Sequence, residues 1–258
     1  MKLKFTKADP MENTTIFVWS DVPRDKQPYI ACQLMKPDYL CAEQVGFVEK
    51  SSQAECVARL QMMGGELSVN ATLAFAAVLS RRENAPNFII EVSGCSKPIE
   101  CTVQNLKKPR ICLPLPNGDL VKRVGAQING KLVPTQIVNL IGITYFLIDE
   151  NFYQDADLDY RKELKNLKDQ FPNCVAENAW GLVFCKENHI KPIVYVQKTD
   201  TAVQEMACGS ASLALALAKG CTEIIQPSGE IIRVNLQQNQ AVIEGKVTIV
   251  AEGSVDVS

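Results

Sequence analysis

Histidine and closely spaced cysteine pairs are largely missing from this sequence. Histidine occurs once, at His189, so a Ser-His-Asp triad or a histidine-rich metal site would depend on that one residue. None of the ten cysteines is spaced as C-x-x-C, which argues against zinc ribbons and thioredoxin-type redox sites. No apolar signal-peptide core follows Met1, and no hydrophobic run is long enough to span a bilayer. We therefore expect a cytoplasmic protein without a membrane partner, whose cysteines are mostly reduced and buried.

The sequence also lacks an excess of charge of either sign. Its 258 residues include 29 acidic and 27 basic side chains, for a net charge of −2. This balance argues against a nucleic-acid partner bound through a basic face. The hydrophobic content of 47% and charged content of 22% are ordinary for a globular protein, and the length predicts one large domain or two modest ones.

Short segments rich in β-branched and aromatic residues predict a chain made mostly of strands with a few helices. The predicted strands are 3–6, 15–19, 45–48, 57–62, 88–92, 99–103, 143–148, 181–184, 193–196, 231–236 and 247–250. The predicted helices are 29–35, 71–79, 157–168 and 211–219, with Asp155 as the N-cap of the third. Helices 71–79 and 211–219 are apolar nearly all round, so we expect both to be buried.

A turn-rich segment and an internal repeat divide the chain near its middle. Residues 106–118 are rich in proline and end in Asn117-Gly118, which predicts a boundary between domains 1–117 and 118–258, with the last strand as a candidate to return to the first half. Residues 68–76 can be aligned with 208–216, and four of the nine positions are identical. The sequence thus predicts two related α+β halves.

Each repeat window opens a buried helix, with Ser68 at one start and Cys208 at the other. A helix N-terminus offers free N–H groups and partial positive charge, which suits a substrate carboxylate. It also favours a thiolate, so we expect a lowered pKa for Cys208. Two such termini at an interdomain cleft could move a proton at the carbon next to that carboxylate. The plainer alternatives are an inert core cysteine at 208 and an ordinary N-cap at Ser68.

The residues around these two positions resemble a known superfamily. Residues 205–210, Glu-Met-Ala-Cys-Gly-Ser, resemble the second cysteine motif of the diaminopimelate epimerase-like superfamily of cofactor-independent racemases and epimerases, and residues 65–72 resemble its first. Residues 41–49, 92–96, 226–229 and 245–248 are especially similar to the histidine racemases of opine-metallophore pathways. The resemblance implies an α+β fold of two pseudo-symmetric halves, each a β-sheet wrapped around a central helix. It also implies an active site in the cleft, no pyridoxal phosphate, no metal, and a homodimer.

The resemblance also implies roles for individual residues. Cys208 matches one catalytic thiol and Ser68 stands at the position of the other. The substrate-binding residues that it implies are Asn13, Glu43, Gln44, Asn70, Ala71, Glu205, Gly209 and Ser210. Among them, Glu43 and Gln44 match a polar pair suited to the substrate's amine or side chain, and Gly209 and Ser210 match carboxylate-binding backbone.

Three departures from the superfamily pattern narrow the choice of substrate. Ser68 and Val69 replace the Cys-Gly of the first motif, and Tyr145 stands where diaminopimelate epimerases carry a histidine. The Glu-Arg pair of those epimerases is not evident, so a histidine-like amino acid fits better than diaminopimelate. Serine in place of the first catalytic thiol has three possible explanations. It is an engineered Cys→Ser change with reduced activity, a natural residue that relays a proton, or the mark of a shift to one-base chemistry.

We therefore predict an amino-acid racemase, with histidine as the favoured substrate, that transfers protons between Cys208 and Ser68. The alternatives on the same fold are a lyase that eliminates from a β-hydroxy amino acid, an allylic isomerase, and a non-catalytic binding protein. Proton exchange at the α-carbon distinguishes the racemase from the binding protein, and release of a keto product identifies the lyase.

Overall fold

A computed structural model describes residues 1–153, 158–176, 178–197 and 200–257. Within those residues the elements are β1 (Lys2–Asp9), β2 (Thr15–Val18), α1 (Gln27–Leu34), β3 (Gln44–Glu49), β4 (Arg59–Met62), α2 (Val69–Glu83), β5 (Asn87–Val92), β6 (Ile99–Thr102), β7 (Arg110–Pro114), β8 (Val121–Ile128), β9 (Lys131–Leu140), β10 (Ile143–Asp149), α3 (Tyr160–Gln170), β11 (Ala179–Lys186), β12 (His189–Val196), β13 (Thr201–Gln204), α4 (Gly209–Lys219), β14 (Glu223–Ile225), β15 (Ile231–Leu236), β16 (Gln240–Glu244) and β17 (Thr248–Asp256). None of the described helices has the length and apolarity that crossing a membrane requires.

The chain forms two compact units. The first comprises Met1–Pro114 together with Val242–Ser258, and the second comprises Leu115–Ala241. A division into domains at residues 117 and 118 stays a prediction.

The first unit is a mixed sheet built around α2. Its strands pair in the order β17-β1-β2-β3-β4-β5-β6-β7, and all pairs are antiparallel except β2–β3 and β4–β5. Helix α2 packs against β1, β2, β7 and β17, and every residue from Val69 to Ser80 is buried. Four alanines in this stretch allow close approach of the sheet, because their side chains are small.

The second unit repeats this plan around α4. Strands β8, β9, β10, β11 and β12 pair in that order, β12 also pairs with β13 and β14, and β14 pairs with β15. Helix α4 packs against β9, β10, β12, β14 and β15, whereas the amphipathic α3 covers β8, β11, β12 and β13. The predicted α+β fold, with each sheet wrapped around a central helix, is confirmed.

The two units share one sequence of strand pairings. In the first unit the pairs β1–β2, β2–β3 and β3–β4 run antiparallel, parallel and antiparallel, and β9–β10, β10–β11 and β11–β12 do the same in the second. Strand β17 occupies the outer edge of β1 as β8 occupies the outer edge of β9. The strand that covers β1 in the first unit therefore comes from the C-terminal part of the chain, whereas the strand that covers β9 in the second unit comes from a local hairpin.

The third helix begins later than the sequence predicts. Helix α3 starts at Tyr160, and its N-cap is Asp159, whose carboxylate accepts a hydrogen bond of 3.1 Å from the Lys162 N–H. The predicted cap Asp155 lies outside the described residues. A start at residue 157 is wrong because Asp159 satisfies a free N–H group of the first turn at its own position.

Candidate active site

Most candidate residues of the first unit lie at one edge of its sheet. Thr15 pairs with Gln44 in the parallel β2 and β3, and Gly46 pairs with Met62 in the antiparallel β3 and β4. The starts of β2 and β3 and the end of β4 consequently meet at the same edge. The loops that leave this edge carry Asn13, Glu43 and the segment that ends at Ser68.

Asn13 and Gln44 are joined directly. The Gln44 Nε2 donates a hydrogen bond to the Asn13 Oδ1, and the Asn13 side chain is almost fully buried. The backbone N–H groups of Glu43 and Gln44 both donate to the Thr14 carbonyl, at 3.0 and 3.1 Å. These bonds fix the two loops to one another, so the polar groups of this edge are held in place before any substrate arrives.

Glu43 lies beside this pair with an exposed side chain. Partial desolvation raises the pKa of its carboxyl group, and the nearby carboxylates of Asp9 and Glu12 add to the rise. A cationic group of a ligand would relieve this crowding of negative charge. The sequence-based assignment of Glu43 to a substrate amine or side chain stays a prediction that this local charge favours.

Ser68 is the N-cap of the central helix α2. Its Oγ accepts a hydrogen bond of 3.2 Å from the Ala71 N–H, and its carbonyl accepts one of 2.6 Å from the Thr72 hydroxyl. Asn70 and Ala71 are buried in the first turn. Because one lone pair of the Ser68 oxygen serves the cap, the hydroxyl is better placed to donate its proton than to remove one.

The loop before Ser68 is anchored by the end of β5. The Ser93 Oγ accepts from the Met62 N–H at 2.9 Å and donates to the Glu66 carbonyl at 2.8 Å. Gly94 follows with φ of +73°, and a Cβ there would lie 2.4 Å from the Leu67 nitrogen. The Ser-Gly pair of residues 93–94 thus holds the start of α2 by close backbone contact that only glycine permits.

In the second unit Cys208 lies at the start of the other central helix. It is the N-cap of α4 without a side-chain cap hydrogen bond, and 4% of the residue is exposed. Its Sγ is 3.3 Å from the Tyr145 Oη and 3.5 Å from the Ser210 Oγ, and those two oxygens are 2.8 Å apart. The predicted residues Cys208 and Ser210 are therefore together, and Tyr145 completes a group of three.

Tyr145 reaches this position because glycine lies beside it. Tyr145 pairs with Gly181 in the parallel strands β10 and β11. A Cβ at Gly181 would lie 2.6 Å from the Tyr145 Cε1, so any side chain there would displace the ring. In the sequence, Tyr145 stands out only as a departure from the superfamily pattern. The glycine in the neighbouring strand is a further signal of close packing at this position.

A buried glutamine holds the Cys208 backbone from both sides. The Gln226 Oε1 accepts from the Cys208 N–H at 2.9 Å, and its Nε2 donates to the Ser212 Oγ at 2.9 Å. The Ser212 hydroxyl in turn donates to the Cys208 carbonyl at 2.8 Å. Gln226 lies in a superfamily-like motif of the sequence without an assigned role, and its contacts identify it as a support for the backbone of Cys208.

The electrostatics at Cys208 differ from the expectation. Burial raises the pKa of the Cys208 thiol, the Glu205 carboxylate adds to that rise, and hydrogen bonds from Ser210 and Tyr145 oppose it. Burial also keeps the pKa of the Tyr145 hydroxyl well above its usual value. The pKa of Cys208 is therefore raised where a lowered one is expected from the sequence, because burial disfavours the charged thiolate. The resting residue is a neutral thiol beside a neutral phenol.

Solved structures with the same fold include racemase-like proteins. A phenazine biosynthesis protein of the PhzF family from Enterococcus faecalis aligns with a TM-score of 0.68 at 15% identity, covering 100% of both chains. A hydroxyproline epimerase from Agrobacterium vitis, with bound trans-4-hydroxy-L-proline, aligns with a TM-score of 0.68 at 11% identity, covering 98% of this chain and 92% of the other. The fold is therefore one that epimerases use.

Sequence similarity defines the family more narrowly. The family model described as "Histidine racemase CntK N-terminal domain" matches residues 2–255. A histidine racemase from Fusobacterium nucleatum subsp. nucleatum is 30% identical over 276 aligned residues, which cover 98% of this chain and 96% of the relative. The chain belongs to the histidine racemase family, and it is an isomerase of the racemase type. The predicted superfamily and enzyme class are confirmed.

Proposed function

We propose that this protein racemises a free α-amino acid, with histidine as the favoured substrate, by proton transfer involving Cys208 and Ser68. The observation that carries the proposal is the buried Cys208 thiol at the N-terminus of α4, within hydrogen-bonding distance of two hydroxyl groups. Membership of the histidine racemase family supports the choice of substrate.

The chemistry needs an anion site, a base and an acid. The first turns of α2 and α4, with Asn70, Ala71, Gly209 and Ser210, supply backbone N–H groups and partial positive charge for the substrate carboxylate. That carboxylate takes up negative charge when the α-proton leaves, so the same groups stabilise the transition state. Asn13, Glu43 and Gln44 are proposed to contact the amine or the imidazole, and Glu205 adds negative charge beside Cys208.

Cys208 and Ser68 differ in acidity, so their roles are unequal. To act as a base, the Cys208 thiol must first pass its proton to an acceptor, and the Glu205 carboxylate that hydrogen-bonds to it is placed to take it. The Ser68 hydroxyl delivers a proton directly or through a bound water and regains one from solvent before the next turnover. Because L- and D-amino acids have equal free energies in water, kcat/KM must be the same in both directions. The asymmetry of the two groups should instead separate the kcat values of the two directions, with KM differing in proportion.

Solvent isotope exchange tests the proposal. Purified protein is incubated in deuterated water with L-histidine or D-histidine and without added cofactor, and the products are read by mass and by chiral chromatography. We expect histidine of inverted configuration that carries deuterium at the α-carbon, and no exchange with Cys208→Ala. Wild-type protein that leaves the α-proton of histidine and of every other proteinogenic amino acid in place would refute the proposal.

A lyase remains the second candidate because Ser68 is a weak acid that caps its own helix. With one base and no strong acid to reprotonate the α-carbon from the other face, the carbanion could instead expel the β-hydroxyl group, which leaves as water with the proton that Cys208 has taken up. Release of a keto acid and ammonia from a β-hydroxy amino acid, without inversion of histidine, would favour a lyase.

We further propose that the enzyme is cytoplasmic and forms a homodimer. Sedimentation of the purified protein would test the dimer.

A further inference from the structure

We propose that Tyr145 is a positioning residue for Cys208: its hydroxyl, together with that of Ser210, holds the sulfur and stabilises the thiolate when the proton leaves. This inference rests on the proposed function for its meaning, since it concerns the same thiol. It assigns a role to a residue that no part of the substrate need touch. Its basis is the geometry of three polar atoms within the second unit.

The three atoms form a closed triangle. The Tyr145 Oη lies 2.8 Å from the Ser210 Oγ and 3.3 Å from the Cys208 Sγ, and the sulfur lies 3.5 Å from the serine oxygen. The oxygen–oxygen distance is that of a normal hydrogen bond, and both sulfur distances suit the larger radius of sulfur. Tyr145 is fully buried, so its hydroxyl has the sulfur and the serine as partners in place of water.

Counting protons shows what the triangle does. With a neutral thiol, which also shares a hydrogen bond with the Glu205 carboxylate, one hydroxyl donates to the other across the short oxygen–oxygen side of the triangle. After Cys208 loses its proton, two protons remain, and both hydroxyls can turn to donate to the sulfur. The negative charge then gains a donor at the moment at which burial would penalise it most. The triangle therefore offsets part of the cost of forming a buried thiolate.

The charged surroundings of the sulfur make this support necessary. Among the described residues, the titratable groups that act on Cys208 are Glu205, which precedes α4, and Tyr145 on β10. The Glu205 carboxylate disfavours a thiolate, whereas the two hydroxyls favour it. Tyr145 itself stays protonated, because burial and the neighbouring sulfur raise its pKa. It can thus donate to the thiolate throughout the working pH range.

The test is the pH dependence of Cys208 alkylation in Tyr145→Phe. This change removes one oxygen and keeps the ring that fills the space beside Gly181. Protein is labelled briefly with iodoacetamide across a pH series, and Cys208 is read by mass in the tryptic peptide 199–219, whose only cysteine is Cys208. We expect the labelling midpoint to rise by about one pH unit, the size expected for one lost charge-assisted hydrogen bond. Slow labelling through burial affects both proteins alike and leaves the midpoint in place.

The matched control is Tyr195→Phe. Tyr195 is also buried in the second unit, but its hydroxyl donates to the Asp200 Oδ1 at 2.6 Å. Its removal should leave the Cys208 midpoint unchanged. An equal midpoint in wild type and Tyr145→Phe would overturn the proposal. If Tyr145→Phe does not fold, Ser210→Ala takes its place, and an unshifted midpoint there would overturn it equally.

Racemisation kinetics provide the functional readout. In Tyr145→Phe we expect kcat at neutral pH to fall about tenfold with KM little changed, and the rising limb of the kcat profile to move to higher pH with the thiol. A shifted labelling midpoint in a protein without any racemase activity would reject the proposed function and retain the role of Tyr145. Full racemase activity with an unshifted labelling midpoint would retain the proposed function and reject the role of Tyr145.

Discussion

At the scale of single residues, two equivalent positions carry different chemistry. Ser68 and Cys208 are both N-caps of central helices, yet Ser68 caps its helix through its side chain and Cys208 does not. The Ser68 side chain therefore makes a structural hydrogen bond to its own helix, and the Cys208 side chain does not. Cys208 is instead bound to its surroundings through Tyr145, Ser210 and Gln226. Sequence alignment of the repeats equates the two residues, whereas their contacts separate their roles.

A thiol at position 68 should make the two groups proposed for proton transfer more nearly equal in acidity. We expect Ser68→Cys to raise the rate of α-deuterium uptake about tenfold, because a thiol is a far better acid than a hydroxyl. The loss of the cap to Ala71 should lower the free energy of unfolding by about 1 kcal/mol. Deuterium uptake and thermal unfolding of the same preparations check both parts.

Ser68→Ala is the control for that prediction. It removes the hydroxyl and the cap together, so exchange should fall while stability falls as in Ser68→Cys. If Ser68→Ala exchanges the α-proton of histidine as fast as wild type, Ser68 takes no part in proton transfer. It would then be an ordinary N-cap, as the plainer interpretation of the sequence holds.

At the scale of elements, local patterns located all four described helices, with each end within four residues of its predicted place. Helices α2 and α4 appear where apolar residues continue all round, and each begins two residues before its predicted start. No strand is among the predictions for the segment between residues 103 and 143, although the segment is rich in strands. It contains β7 and the β8–β9 hairpin, whose turn at Asn129-Gly130 has φ of +46° and +75°. That dipeptide is a strong hairpin signal, so the sequence did contain the information.

The N-cap of α3 gives a test at this scale. Asp159→Ala should lower the free energy of unfolding by about 1 kcal/mol, because its carboxylate accepts from the Lys162 N–H. Trp180 donates to the Leu164 carbonyl of the same helix, so fraying of α3 reaches the core of the second unit. Urea unfolding followed by tryptophan fluorescence measures the change. Asp155→Ala, at the cap predicted from sequence, should be neutral, and a larger effect there than at Asp159 would contradict the assignment.

At the scale of the whole molecule, the C-terminal strand belongs to the first unit. Strand β17 pairs with β1 along its length, and Glu252 accepts a hydrogen bond from the Thr6 hydroxyl and forms an ion pair with Arg81. An interaction between residues about 250 positions apart closes the edge of this sheet. Folding of the first unit therefore depends on the end of the chain.

Truncation tests this dependence. Deleting residues 248–258 removes β17, exposes the edge of β1, and should lower the thermal unfolding midpoint by about 10 °C or more. A deletion of residue 258 alone leaves the strand and the buried Val257 in place, and it serves as the control. Differential scanning calorimetry measures both proteins. Equal unfolding midpoints for the long and the short deletion would show that β17 contributes nothing to the first unit.

Local pattern and motifs that stay contiguous in the sequence were enough to identify the superfamily and the two buried helices, and to place Ser68 and Cys208 at the starts of those helices. The tertiary structure decided what surrounds the thiol. Tyr145, Gln226 and Gly181 come from different elements and act on Cys208 only after the second sheet has formed around α4. It also decided the direction of the Cys208 pKa, since burial depends on everything packed around a side chain and a helix N-terminus is only one contribution to it.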